Sequence, residues 1–121
     1  MKRAHKELDV WKEAVALATL VYRITDSFPK SEIYGITSQM RRASVSISSN
    51  IAEGAARFSQ KEFLQFLNIA GGSLSELDTQ VEIARQLGYL GINELPEVES
   101  KIFTVSKLLS GLISNIRKKI Q

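Results

Sequence analysis

From Phe63 to Gly88 the chain places an apolar or small residue at every third or fourth position: Phe63, Leu67, Ala70, Leu74, Leu77, Val81, Ala84 and Gly88. Steps alternating between four and three gather these residues on one side of an α-helix and on neither face of a strand, where side chains alternate every second residue. A helix with one continuous apolar stripe is not stable alone in water and must be covered by others. The rest of the chain supplies three more such stripes. Val10, Ala14, Leu17, Val21, Ile24 and Phe28 form one, widened by Trp11, Val15, Ala18 and Tyr22. Ile33, Ile36, Met40, Ala43, Ile47 and Ile51 form the next, and Val98, Ile102, Val105, Leu109, Leu112, Ile116 and Ile120 the last.

Local signals divide the chain into four. Asp9 is placed to cap the first helix, and Phe28-Pro29 stops it after Ser27, because a residue before proline avoids the helical region. Ser31 is placed to cap the second helix, which runs to Ala56. Ser59 and Glu62 have the spacing of a capping box, and Phe58 with Phe63 that of a hydrophobic staple, so the third helix starts there. Gly88 and Gly91 end it, and the fourth opens near Leu95-Pro96. The expected helices cover approximately residues 9–27, 32–56, 60–87 and 95–120 of a 121-residue chain, which holds one core. No segment alternates as a strand does. The connections near 28–31, 56–59 and 89–94 are too short to cross the molecule. The predicted fold is all-α, a single antiparallel up-down-up-down four-helix bundle.

Two features fit badly with a helix that only meets solvent. On the second helix, Ser38, Arg42, Ser46, Ser49 and Glu53 fall on a line roughly opposite the apolar stripe. A solvated helix face ordinarily carries long Lys and Glu side chains, whereas Ser is a middling helix former. Arg42 and Glu53 are eleven residues apart, about 16 Å along a straight helix, so they do not pair with each other. On the third helix, Gly71-Gly72 costs about 1 kcal/mol per glycine relative to alanine, which a close approach by another helix would offset. The expected neighbour is the serine-rich side of the second helix, within the subunit or across an interface. Ser38, Arg42, Ser46, Ser49, Asn50, Glu53, Gly71 and Gly72 are therefore the candidate contacts between copies. The expected assembly is a homo-oligomer, which closes into a ring if the contact is head-to-tail.

Catalytic chemistry is thinly represented. The chain has no cysteine and one histidine, His5. That set does not make a zinc site, no Glu has a His three residues on, and no glycine-rich phosphate loop follows a strand. A non-enzyme without metal or cofactor is expected. The absence of cysteine, of a signal peptide and of a long apolar run points to a cytoplasmic protein that does not enter a membrane. A net charge of +3 is compatible with nucleic acid. Arg41, Arg42, Arg57 and Lys61 are the candidate phosphate contacts, with structural salt bridges as the competing reading. Arg117, Lys118 and Lys119 oppose the dipole of the last helical turn. Trp11, Tyr22, Phe28, Phe63, Phe66 and Phe103 lie on or beside apolar stripes and are expected in the core.

The pattern Gln39-x-x-Arg42-Ala43-x-x-Ser46-x-x-x-Asn50-Ile51-Ala52-Glu53-Gly54 resembles the hallmark stretch of the four-helix-bundle proteins encoded in intervening sequences of bacterial 23S ribosomal RNA genes. The resemblance extends to Leu8-x-Val10-Trp11, Phe28-Pro29-x-x-Glu32 and Gly72-Ser73-Leu74-x-Glu76-Leu77. It implies a homopentameric ring around a central channel. It also implies kinship with the accessory variability protein of diversity-generating retroelements, a basic pentamer that binds nucleic acid and a reverse transcriptase. By that similarity Arg41 and Arg42 are the first candidates for phosphate contact, with Arg57 and Lys61 next. A scaffold that docks another protein, such as a polymerase, is the alternative.

Overall fold

The computed structural model describes residues 4–120. Four α-helices carry almost all of them: α1 (Asp9–Thr25), α2 (Ile36–Ala55), α3 (Gln60–Gln86) and α4 (Glu94–Ile120), with short 3₁₀ turns at Ala4–Glu7 and Lys30–Glu32. No strand occurs among the described residues. Each helix packs on its neighbour in the chain, and α4 returns to α1, which closes the bundle. Neighbours are antiparallel. Gly54, late in α2, faces Phe63 and Phe66 early in α3, whereas Ser46, two turns earlier in α2, meets Ser73 farther along α3. The four predicted stripes supply the core: Leu17 and Val21, Ile47 and Ile51, Leu67 and Leu77, and Val98 and Val105 are all essentially inaccessible. Burying each such side chain contributes about 1.5–3 kcal/mol.

The helix ends depart from the sequence expectation in instructive ways. Leu8, not Asp9, holds the N-cap position of α1, without a side-chain bond. Asp9 sits one residue inside, where its carboxylate still faces the positive end of the helix dipole. The second helix starts at Ile36 rather than near residue 32, and Ser31 lies in the preceding 3₁₀ turn. Gly35 holds the N-cap position, and Glu32 reaches the helix start from the turn, its Oε1 accepting from the Ile36 N–H at 3.4 Å while its carbonyl accepts from the Gly35 N–H at 2.9 Å. A Cβ on Gly35 would collide with that carboxylate, so glycine is what lets the side chain in. This turn takes Ile33 off the α2 stripe and leaves it half-exposed.

At the start of α3, Ser59 Oγ accepts from the Glu62 N–H at 3.1 Å as the capping box requires. The staple does not form. Phe58 is fully exposed rather than packed on Phe63, and the adjacent Arg57 covers a different ring, its guanidinium 4.9 Å from the Phe66 centroid. Tyr22 and Phe103, expected in the core, also lie outside, Phe103 at 68% exposure. At the other end of α3, Gly88 has φ +75°. The Gly88 N–H donates to Arg85 O and the Tyr89 N–H to Ala84 O, both at 3.0 Å, which is a Schellman closure. The Tyr89 hydroxyl then donates to Glu32 Oε2 at 3.0 Å and its ring packs on Phe28, joining the α3–α4 connection to the α1–α2 turn. That bond holds the Tyr89 hydroxyl protonated to higher pH than an ordinary tyrosine.

Along the exposed side of α3, Glu82 accepts from Arg85 Nε at 3.0 Å, Arg85 Nη2 at 2.6 Å and Gln86 Nε2 at 2.8 Å. The Arg85 bonds, with Gln86 assisting, lower its pKa from 4.5 to about 2. A carboxylate more acidic when folded stabilises the helix end fully above 4.5, and that contribution fades as pH falls toward 2. In Arg85→Gln, the Glu82 side-chain carbon should titrate by NMR closer to 4.5. An unchanged midpoint would mean that Arg85 does not hold it.

Candidate nucleic-acid and assembly face

The serines of α2 divide into two groups. Ser44 is buried and donates to Arg41 O at 2.9 Å, and Ser48 donates to Val45 O at 3.1 Å, so both hydroxyls are satisfied by their own helix. Ser46 instead reaches across to α3, its Oγ 2.9 Å from Ser73 Oγ. Asn50 Nδ2 donates to Ser46 O at 2.8 Å and to Ser46 Oγ at 3.0 Å, completing a polar chain between the two helices. The serine line is thus turned partly toward α3. Ser38 and Ser46 are half-buried, while Arg42, Ser49 and Glu53 are exposed.

The close helix approach expected at Gly71-Gly72 occurs at Gly54. A Cβ there would stand 2.8 Å from Phe66 Cβ and 2.9 Å from Phe63 Cδ1. Gly71 has only Leu109 Cδ2, at 3.9 Å, and a Cβ on Gly72 would meet nothing within 4 Å. These glycines do not seat α2 within the subunit. The 3- and 4-residue spacing places Ile69, Gly72, Glu76 and Ile83 on one side of α3, and both isoleucines are about half exposed. Between that side and α2 lies a cleft of about 390 Å³ lined by Gln39, Arg42, Ala43, Ser46, Glu76 and Gln80. Gln80 is only 6% exposed, and its Oε1 has no hydrogen-bond partner among the described residues.

The four candidate cations separate cleanly. Arg41 lies 4.7 Å from the Tyr22 ring centroid and donates from Nε to Thr25 Oγ1 at 2.9 Å. Arg57 binds Glu53 at 2.7 Å and covers Phe66, so the partner of Glu53 is one turn along the chain. Arg42 and Lys61 are exposed and make no hydrogen bond or ion pair with the described residues. Arg42 stands at the mouth of the cleft. Sequence reasoning missed Gln80 and held Glu76 only as part of the family resemblance, because residues 34 and more positions from Arg42 join its cleft only when α3 folds back along α2. Gly54 was in view within the family pattern, yet its signal, a small residue between Glu53 and Ala55, carries no direction.

No curated protein matches the chain. The chain is similar in structure to a protein of unknown function from the S23 ribosomal protein family of Bacteroides thetaiotaomicron, whose crystal structure is at 1.70 Å resolution. The TM-score is 0.77 at 21% identity, covering 86% of this chain and 97% of the other. At that identity the likeness speaks for the helical fold. The family model described as 23S rRNA-intervening sequence protein matches residues 6–111, a span that includes the α2 pattern, the cleft and all four candidate cations. The chain therefore belongs to the 23S rRNA-intervening sequence protein family.

Proposed function

We propose that this chain is a non-enzymatic, ring-forming protein that holds RNA or DNA by its phosphates without strong sequence preference. Five copies per ring is what the family resemblance implies. The observation that carries the reading is the state of the cations: Arg42 and Lys61 project without a partner among the described residues, whereas Arg41 and Arg57 are held by aromatic and polar neighbours. Unpaired cations on one subunit are weak attractors. Five copies of a chain of charge +3 carry +15, enough field to matter for a polyanion when the charges share a face.

Self-association is supported by the outward side of α2 and α3. Half-exposed Ile69 and Ile83 flank an open Gly72, and the adjoining cleft holds an unpaired Gln80 carbonyl oxygen beside Arg42 and Glu76. A neighbouring copy would cover the isoleucines and supply partners to the cleft. A second reading, a scaffold that docks another protein such as a polymerase, is favoured by the full exposure of Phe58 and the near-full exposure of Tyr34 and Ile92.

Fluorescence anisotropy of the purified protein against structured RNA and duplex DNA separates the two. Binding should weaken by about 10³-fold or more between about 50 and 200 mM salt if six or more phosphates are engaged. An intact oligomer with no affinity at low salt rejects the nucleic-acid reading and leaves the scaffold.

A further inference from the structure

At the end of the bundle where α1 turns into α2 there is a second cavity, of about 400 Å³, separate from the α2–α3 cleft. Its volume falls within the range of small-molecule sites, about 300–1,000 Å³. One wall is apolar, made by Phe28, Pro29 and Ile33. Two observations on the opposite side bear on what the cavity could hold.

The first is Arg41, which lines the cavity with its guanidinium already oriented. Tyr22 supports its face and Thr25 Oγ1 accepts its Nε at 2.9 Å. Neither Nη has a partner among the described residues, and Arg41 itself is half-buried. A fixed guanidinium edge matches the paired oxygens of a carboxylate or phosphate, and it loses little freedom on binding. Lys30 adds a second cation, and with Asp26 the lining carries a net charge of +1.

The second is Thr37, also in the lining. It is 3% exposed, and its Oγ1 has no hydrogen-bond partner among the described residues. Helical threonines ordinarily donate back to their own helix, as Thr25 does to Val21 O at 2.7 Å. A buried hydroxyl left unpaired lowers stability, so few are kept unless something else meets them.

We propose that this cavity binds a small organic anion with a flat apolar body. Its carboxylate or phosphate group lies on Arg41 and Lys30, its apolar part against Phe28, Pro29 and Ile33, and a polar atom meets Thr37. The site is distinct from the exposed Arg42 and Lys61 that would contact a polynucleotide. It stands whether or not the ring binds RNA.

The test is titration of the full chain with phenyl phosphate and with phenylacetate, followed in ¹H–¹⁵N spectra, with benzyl alcohol as the uncharged control. Shifts should concentrate at residues 25–41, with benzyl alcohol at least tenfold weaker. Preference between the two acids identifies the acidic group. Arg41→Gln should weaken binding about tenfold or more. Thr37→Val, which keeps the shape and removes the unpaired hydroxyl, should weaken binding severalfold without lowering the melting temperature. RNA affinity measured on the same Thr37→Val sample should be unchanged. Equal affinity for benzyl alcohol, shifts centred outside this end of the bundle, or unchanged affinity in both variants would overturn the proposal.

Discussion

Gly54→Ala should destabilise the fold by about 2–3 kcal/mol, although alanine is the better helix former by about 1 kcal/mol. The added methyl would stand 2.8 Å from Phe66 Cβ and 2.9 Å from Phe63 Cδ1. Phe63 Cδ1 can swing aside, but Phe66 Cβ is fixed to the α3 backbone, so relief requires α2 and α3 to part. Parting them disturbs the Ser46–Ser73 hydrogen bond and the packing of Ile51 and Leu67 on both sides of the contact. For a chain of this size the melting temperature should fall by about 10 °C. Gly72→Ala supplies the contrast. Its Cβ meets nothing within 4 Å, so the isolated subunit should gain about 1 kcal/mol. If a neighbouring copy's backbone approaches Gly72 in the proposed assembly, the same substitution weakens that assembly, which light scattering reads directly. A Gly54→Ala protein as stable as the parent would show that the α2–α3 contact is looser than its geometry.

The second large effect is expected on binding. Arg42→Glu reverses a charge that has no partner among the described residues, so it breaks no ion pair with them. In a five-membered ring the reversal occurs five times, changing the total by −10 from two units per copy. Affinity for structured RNA at low salt should fall by about 10²-fold, and the dependence of log K on log salt should flatten by about one unit for each phosphate no longer engaged. Arg42 also faces Glu76 and Gln80 across the cleft, so assembly must be measured on the same sample. Lys61→Glu is the companion variant, on an exposed residue at the first turn of α3, outside that cleft. An intact Arg42→Glu ring with unchanged RNA affinity would remove Arg42 from the binding surface. Arg57→Gln should lower RNA affinity less than either, because Arg57 is already engaged by Glu53 and Phe66.

Much of the helical architecture was legible because it depends on periodicity, which is a property of neighbours in the chain. The stripe from Leu67 to Ala84 is buried as its spacing requires, and Ser59 caps α3 as its sequence predicts. Helix ends were less legible where a side chain from outside the local motif intervened. Glu32, not Ser31, bonds the first N–H of α2, and Phe58 stays exposed instead of packing on Phe63, while the adjacent Arg57 lies over Phe66.

The candidate site was legible in composition and not in geometry. Sequence alone determined which cations were available, that α2 carries serines where long charged side chains are usual, and that the chain has no cysteine and a single histidine. Tertiary structure decided which of those cations remain unpaired. Tyr22 and Thr25 of α1 hold Arg41, Phe66 of α3 covers Arg57, and Arg42 is left at the edge of a cleft shared with Gln80. Periodicity assigns a residue to a face of its own helix, but pairing across helices depends on how far each is slid and turned against the next. Small contacts such as Gly54 against Phe66 set that register, and nothing local to either residue reveals the other.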